Sequence, residues 1–458
     1  QQQMESVVDL HTKTESVVRL KLGLGAEVPL RIERVTGGIT NKLFSVDWGE
    51  AAEENKVLVR HFGAEGMIDR EVENRVFAWL ASHGVAPPLK GLFEGGRIEG
   101  WLYGFRPLAL DEMPLVSSGI AAQMARLHTL PLADPDLAAR FGPDAPVAVW
   151  SDLQSWFDQA RSAERRAACE AEVGSDGDES AQAAAKLLTA EEKSTYLSFD
   201  FDAFARRIDA LKVAILAAHA EGSGGGSSSS SSSTAFCHND ILCNNVMVRP
   251  ALASGGAAES AGGGELEVRL IDFEYGGSNY CAFDVANHLN EWAGGSLELT
   301  PAELKAGVRR PGYNGTMDFA VRGASPDQRR AFCSEYLSAA SAARAISTEK
   351  GGDCEDAAEE PALAPATART MPIMFRQVTD PITTGEEPSE VPSEDALALL
   401  LRRVELFIEL NHAYWGVWAV NRAFEEGCAS FDFIEYCRSR FSQIKITPLV
   451  GTEVRVPG

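Results

Sequence analysis

The 458 residues, 45% hydrophobic and 24% charged, are enough for a large two-lobed protein with a sizeable core, so length does not confine the chain to a binding module. With 42 Lys+Arg against 66 Asp+Glu the formal charge is −24, which opposes binding to nucleic-acid backbones or anionic membranes and attracts cationic ligands. The eight cysteines are scattered without a CxxC pair, no apolar run reaches the roughly 18 residues of a membrane span, and Gln1 to Lys21 lacks the apolar centre of a secretory signal. These features lead to the expectation of a cytoplasmic chain with reduced thiols.

Residues 1–27 read as an N-terminal extension, and 28–104 as a small β-rich lobe. Within that lobe, VPLRIERVTGGITNKLFSVDW at 28–48 reads as two strands around a Gly-rich turn, and KVLVRHFG at 56–63 as a third. From Ile68 to Ser82 the period changes to helical, with Val72, Val76, Phe77, Trp79 and Leu80 on one face and Gly84 as the stop. A further strand pair near Leu92 to Leu102 closes the lobe.

Residues 105–458 read as a larger α-rich lobe. Helical spacing covers Ser118 to Leu130, Leu153 to Glu170, Asp200 to Ala220, Asp395 to Glu426 and Phe431 to Lys445. AFCHND leading into NNVMVRP, then LEVRLIDFEY, supply short strands resembling a hairpin whose turn has been enlarged. Five stretches read as flexible inserts that pack little: 163–186, 222–233, 251–264, 300–325 and 348–393. In GSGGGSSSSSSS there is almost no apolar surface to offset the entropy of ordering.

His238-Asn239-Asp240 followed by Asn245 forms HxDxxxxN, a spacing that lets an Asp face a substrate while an Asn five positions on reaches back to a metal. Asp272, at the end of the apolar strand LIDFEY, is placed to share that metal, and magnesium needs only one or two protein oxygens beside phosphates and water. A lone Asp or Asn is ordinarily a cap or turn residue, and the combination reverses that reading. His238 reads as a loop brace bonded to main-chain groups, and Asp240 as the base. Thr36-Gly37-Gly38-Ile39-Thr40-Asn41 is either a plain hairpin turn or a backbone cradle for phosphate. Arg60, ending VLVR, is positioned to hold phosphates, with Glu73 on the next helix as its ion-pair partner.

Together these residues resemble the choline/ethanolamine kinase family of kinase-like phosphotransferases, which also include the aminoglycoside phosphotransferases. The likeness runs from about Val35 to Pro448 outside the inserts, carried by FCHNDILCNNVMV, VRLIDFEYGGSNYCAFDVANHLNEWAG and HAYWGVWAVNRAFEEGCASFDFIEYCRSRF. It implies a two-lobed α+β protein-kinase-like fold with a small β-rich N-lobe and a large α-rich C-lobe. It further implies Asp240 as catalytic base, Asn245 and Asp272 as Mg²⁺ ligands, and Gly37, Gly38, Thr40, Asn41, Arg60 and Glu73 on the ATP phosphates. Adenine is expected near Glu99 to Leu102, so that Glu99 and Leu102 join the ATP-binding set.

Glu291, Tyr275, Trp415, Trp418 and Tyr436 match positions lining the family's acceptor pocket, where carboxylates and aromatic faces hold an ammonium group. Trp415 and Trp418, three apart, share a helix face; a buried aromatic stripe is the plainer reading of such spacing. HNDILCNN and HLNEWAG lean toward ethanolamine, with choline as the alternative acceptor. The implied partners are ATP and the amino alcohol, with a homodimer as the family's common assembly. The implied product, phosphoethanolamine, feeds the CDP-ethanolamine route to phosphatidylethanolamine. An acidic scaffold without catalytic activity is the competing reading from another class.

Overall fold

Three short segments lay down the first sheet: β1 (Leu30–Val35), and β2 (Lys42–Trp48) and β3 (Lys56–His61), each with three consecutive buried residues. They are joined by β4 (Leu89–Phe93) and β5 (Gly96–Gly100) in the antiparallel order β1-β2-β3-β5-β4. The protein is described here from a computed structural model over residues 7–35, 41–49, 55–63, 69–142, 145–170, 183, 185–221, 233–251, 266–350 and 392–445. Helix α1 (Val7–Leu22) makes the expected N-terminal extension part of this lobe. Its Leu10 and Val18 are buried with Phe44, Val46, Val57, Val59 and Ile98, and Thr14 Oγ1 lies 2.7 Å from His61 Nε2.

Helix α2 (Arg70–Ser82) begins where the Asp69 carboxylate caps the Val72 N–H at 3.2 Å, and the chain turns away at Gly84, whose φ of +65° suits glycine. Val76, Phe77, Trp79 and Leu80 are buried as expected, but they join the core of the larger lobe rather than the sheet. Residue 73, on the same helix, is a buried glutamate that an apolar pattern does not register.

The larger lobe is built from α3 (Ser117–His128), α4 (Pro135–Phe141), α5 (Ala148–Ala160), α6 (Ala163–Glu170), α7 (Ala190–Leu197) and α8 (Phe201–Ala220). After the catalytic segment come α9 (Cys281–Glu291), α10 (Pro301–Lys305), α11 (Pro326–Lys350), α12 (Glu394–Glu426) and α13 (Phe433–Phe441). Helix α12 is the central post, packed against α5, α8, α9, α11 and α13. The helix expected over Leu153 to Glu170 is two helices, because Ser162 Oγ accepts the Arg165 N–H at 3.3 Å and starts a new one. The helix expected from Phe431 starts two residues later, where the Asp432 carboxylate accepts the Glu435 N–H at 2.9 Å.

The stretch 300–325 is not a loosely packed insert. Its main chain bonds to the core, Gly295 N–H to Gly312 O at 2.7 Å and Asn314 N–H to Leu297 O at 2.7 Å, and Met317 and Ala324 are buried. Helix α11, absent from the sequence reading, packs along α3 and buries Phe332, Cys333, Tyr336 and Ala340. In 163–186 the described ends also pack into the core, Cys169 and Ala185 both being buried. Residues 171–182, 222–232, 252–265 and 351–391 lie outside the described residues.

The enlarged hairpin is present: β8 (Val246–Pro250) pairs antiparallel with β9 (Leu266–Leu270), and β6 (Arg106–Pro107) adds to β8. A second small sheet joins β7 (Thr234–Cys237) to β10 (Gly277–Tyr280). These two sheets deliver the ends of four strands to one cleft.

Candidate active site

His238, Asn239 and Asp240 leave β7 in a loop held from several sides. His238 Nδ1 accepts the Asp240 N–H at 3.3 Å, which leaves Nε2 to donate to Ile271 O at 2.9 Å. Burial lowers the pKa of this ring, so it stays neutral and acts as the brace expected from its sequence position. Asp284, one turn into α9, accepts the main-chain N–H groups of His238 at 2.9 Å and Asn239 at 2.8 Å. His128 Nε2 lies 3.0 Å from the same carboxylate. Asn239, at φ +65°, donates to Tyr275 O at 2.9 Å and accepts from Asn279 Nδ2 at 2.8 Å, contacts that offset a left-handed backbone.

Asn245 Nδ2 donates to Asp240 twice, to the main-chain oxygen at 2.8 Å and to Oδ2 at 3.1 Å. The Ile271 N–H donates to Asn245 O at 3.0 Å, which fixes Asp272 beside it. Asp272 sits at φ +64°, the second left-handed non-glycine residue of the cleft. Both bonds from the Asn245 side chain use nitrogen, so its amide oxygen and the Asp272 carboxylate form the hard oxygen set that suits magnesium. Burial pushes the Asp240 carboxyl well above the ordinary range, with the charges of Glu291, Asp272 and Glu274 adding to it and the Asn245 bond opposing. Although Asp240 keeps some solvent exposure as a residue, its carboxylate is deep in an anionic cleft.

The β3–β5 register places Arg60 directly opposite Arg97, with Glu99 two residues on along the same face. Arg60 Nε bonds Glu99 at 2.9 Å and its Nη1 reaches Asp272 at 3.3 Å, bridging the two lobes. Arg97 bonds Glu99 at 2.8 Å and Glu73 at 2.8 Å, while Arg70 takes the other oxygen of Glu73 at 2.6 Å. The expected Arg60–Glu73 pair is therefore replaced: Glu99 holds Arg60, and Glu73 acts one step away through Arg97. Glu99 is likewise committed to two arginines within the sheet, not to a surface for adenine; Leu102 lies in the connection beyond β5 and is half-buried. Burial works against the Arg60 charge, but Glu99 and Asp272 outweigh it and keep the guanidinium protonated. Gly37, Gly38 and Thr40 lie outside the described residues; Asn41 Nδ2 donates to Glu274 at 3.1 Å.

Toward the C-terminal helices the five expected acceptor residues fall into two contact groups. Trp415 meets Tyr275 edge-on at 5.5 Å between ring centroids and Trp418 at 5.4 Å, and its indole N–H donates to Asn287 at 2.7 Å. Glu291 is buried, accepts from Ser296 Oγ at 2.9 Å, and is paired with Arg440, which also bonds the Tyr436 hydroxyl. Arg440 is thus the group that joins the Glu291 carboxylate to the Tyr436 phenol. The turn that brings Ser296 there runs through Gly295 at φ +96°, where a Cβ would strike Met317 at 2.6 Å.

Sequence reasoning missed Glu274, Asp284, Arg97, His128, Ser296 and Arg440. Four had a local signal: Glu274 is two residues from Asp272, Arg97 two from Glu99, Ser296 five from Glu291, and Arg440 four from Tyr436 on one helix. The others depend on contacts across the fold, His128 being 156 positions from Asp284.

A sheet-based small lobe, an HxDxxxxN loop braced from a helix, and a strand-terminal Asp reached by a cation from the other lobe define a kinase-like phosphotransferase fold. The choline/ethanolamine kinase family model matches residues 32–445, and the chain belongs to that family. A probable choline kinase of Arabidopsis thaliana is 23% identical over 90% of this chain and 85% of its own length. An ethanolamine kinase of Homo sapiens is 30% identical over 58% of this chain and 54% of its own. Among solved structures, an ethanolamine kinase of Plasmodium vivax superposes at TM-score 0.59 with 20% identity, covering 96% of this chain and 88% of that one. A choline kinase of Cryptosporidium parvum superposes at 0.58 with 19% identity, covering 94% and 93%. Among the described residues no helix is long and apolar enough to cross a membrane.

Proposed function

We propose that this kinase transfers the γ-phosphoryl group of ATP to the hydroxyl of ethanolamine, with choline as a second acceptor. The observation that carries the choice is the Glu291 carboxylate, held by Ser296 and by Arg440, which also bonds the Tyr436 hydroxyl, beside a second group of aromatics, Tyr275, Trp415 and Trp418. A primary ammonium needs hydrogen-bond acceptors for its N–H groups, which the carboxylate and hydroxyl oxygens supply, whereas a quaternary one needs only aromatic faces. The aromatic side of the same pocket supports choline as the second reading. Relatives named for each substrate fit a pocket of both characters.

Asp240 is the base that receives the acceptor's hydroxyl proton. Its raised pKa favours that role, because a carboxylate is a better proton acceptor when burial and like charges disfavour its ionised form. Asn245 orients Asp240 through Nδ2 and, with Asp272, offers oxygens to Mg²⁺. Bound there, the ion would neutralise charge on the β- and γ-phosphates. Arg60, fixed by Glu99, presents its guanidinium to those phosphates, and the sequence assigns Gly37, Gly38, Thr40 and Asn41 to phosphate binding as well. Glu73 supports this arrangement through Arg97, and Leu102 marks the connection along which adenine lies.

Steady-state kinetics with ethanolamine, choline and an aminoglycoside, each with and without Mg²⁺, tests the assignment. The highest kcat/KM is expected for ethanolamine with Mg²⁺ present. Inactivity on both amino alcohols would overturn the reading, and a clear preference for choline would reverse its order.

A further inference from the structure

The two contact groups expected to hold the acceptor are joined by a chain of buried hydrogen bonds. Arg440 Nη2 donates to Glu291 and, at 2.5 Å, to the Tyr436 hydroxyl. Its Nη1 donates to Asn411 Oδ1 at 3.2 Å. Asn411 Nδ2 donates in turn to Asn287 Oδ1 at 3.0 Å, and the same oxygen accepts the Trp415 indole N–H at 2.7 Å. The carboxylate group is thereby connected to the aromatic group through Arg440, Asn411 and Asn287, each of them 0% exposed.

Helical spacing builds this chain. On α9 Asn287 lies one turn before Glu291, on α12 Asn411 lies one turn before Trp415, and on α13 Arg440 lies one turn after Tyr436. Each of the three helices thus carries one residue expected at the acceptor and, one turn away, one that bonds across to its neighbours. Asn290 adds a brace, its Nδ2 donating to Asn411 Oδ1 at 2.9 Å and to Ile408 O at 3.0 Å. With two donors on its oxygen and its nitrogen committed to Asn287, the Asn411 amide has one orientation. Burial works against the Arg440 charge, but Tyr436 and Glu291 outweigh it and keep the guanidinium protonated.

We propose that Arg440, Asn411 and Asn287 are positioning residues for the acceptor, a buried network that sets the spacing between the Glu291–Tyr436 group and the Trp415 ring. The inference rests on the amino-alcohol reading of these residues. A carboxylate and an aromatic face serve one ammonium group only at a fixed separation, and long side chains keep that separation when further hydrogen bonds lock their rotamers. Members of one network also support each other, so a loss at one end is felt at the other. Ethanolamine and choline share this spacing, and both depend on it.

A double-mutant cycle on the full chain tests the network. Tyr436→Phe deletes the hydroxyl that accepts from Arg440, Trp415→Phe deletes the indole N–H that donates to Asn287, and both variants retain an aromatic ring. Each alone should lower kcat/KM for ethanolamine and for choline by ~3–10-fold, through KM, with KM for ATP unchanged. Together they should lose less than the product of the two losses, by ~3-fold or more. Asn411→Ala cuts the chain midway, so it should raise KM for both amino alcohols and abolish that coupling. Coupling carried by the acceptor itself or by ring contacts would survive it. Should Asn411→Ala fail to fold, Asn411→Asp keeps oxygens for Arg440 and Asn290, loses the N–H given to Asn287, and interrupts the chain at that bond. Additive losses, a coupling that survives replacement of Asn411, or a fall in active fraction with every KM unmoved would overturn the inference while amino-alcohol phosphorylation stands. An unsubstituted chain inactive on both amino alcohols would overturn that reading and the inference with it.

Discussion

Arg60 reaches Asp272 across 212 positions of sequence, its Nη1 3.3 Å from Oδ1, while its Nε stays bonded to Glu99. One guanidinium thus joins the first sheet to the strand end that carries Asp272. Arg60→Ala should lower kcat/KM for ATP by ~10–150-fold, the equivalent of losing a charged hydrogen bond of about 1.5–3 kcal/mol. Arg60→Lys keeps the charge but not the fork, and should recover only part of that loss. Initial-rate measurements over an ATP series check both; an alanine variant with unchanged ATP kinetics would refute the phosphate role.

Asp240→Ala should lose ~10² or more in kcat while ATP binding, followed by equilibrium titration, is retained. In the unsubstituted enzyme, kcat/KM for the amino alcohol should fall on the acid side well above the ordinary Asp value of about 3.9. The sign follows from the environment: burial and the negative charges of Glu291, Asp272 and Glu274 make the Asp240 proton harder to remove. Glu291→Gln deletes one of those charges, so the acid limb should move to lower pH even as KM for the amino alcohol rises. A limb that stays in place means that Asp240 does not set it.

Ser296→Ala removes the hydroxyl that donates to Glu291. The loss should fall on ethanolamine, with kcat/KM down by ~3–10-fold for one neutral hydrogen bond of about 0.5–1.5 kcal/mol, and leave choline nearly unchanged. Trp415→Ala should weaken both acceptors, choline more, because aromatic faces are the only favourable contacts its head group has. Parallel kinetics with the two substrates measure the split, and equal losses would remove the argument for ethanolamine first.

Asp284→Ala should destabilise the fold by ~3 kcal/mol or more, since it strands two buried main-chain N–H groups and the His128 ring together. Burial alone would lower the pKa of His128; Cys281 and Asp284 instead raise it to about 10. A folded-state value above the unfolded value of about 6.5 means that His128 contributes its full stabilisation below about pH 6.5, and that this is lost as pH rises toward 10. Denaturant melts of the unsubstituted chain and His128→Gln should differ most near pH 6 and converge in the alkaline range. A difference that grows with pH would contradict the paired, protonated ring.

The sequence by itself determined the elements whose information is local. HxDxxxxN is legible because a five-residue spacing within one loop already brings the Asn245 amide back to Asp240. The Trp415–Trp418 ring contact is legible because the two residues are three apart on a helix. Tertiary structure decided which charge meets which. Arg60 has Glu99 rather than Glu73 because the antiparallel register of β3 and β5 sets their side chains on one face, and register is a property of two strands, not of one. Glu291 is held by Arg440, 149 positions away, and Asp284 by His128, 156 away. Such pairs carry no periodicity: each forms only when packed elements exclude water and bring the two side chains within reach of each other.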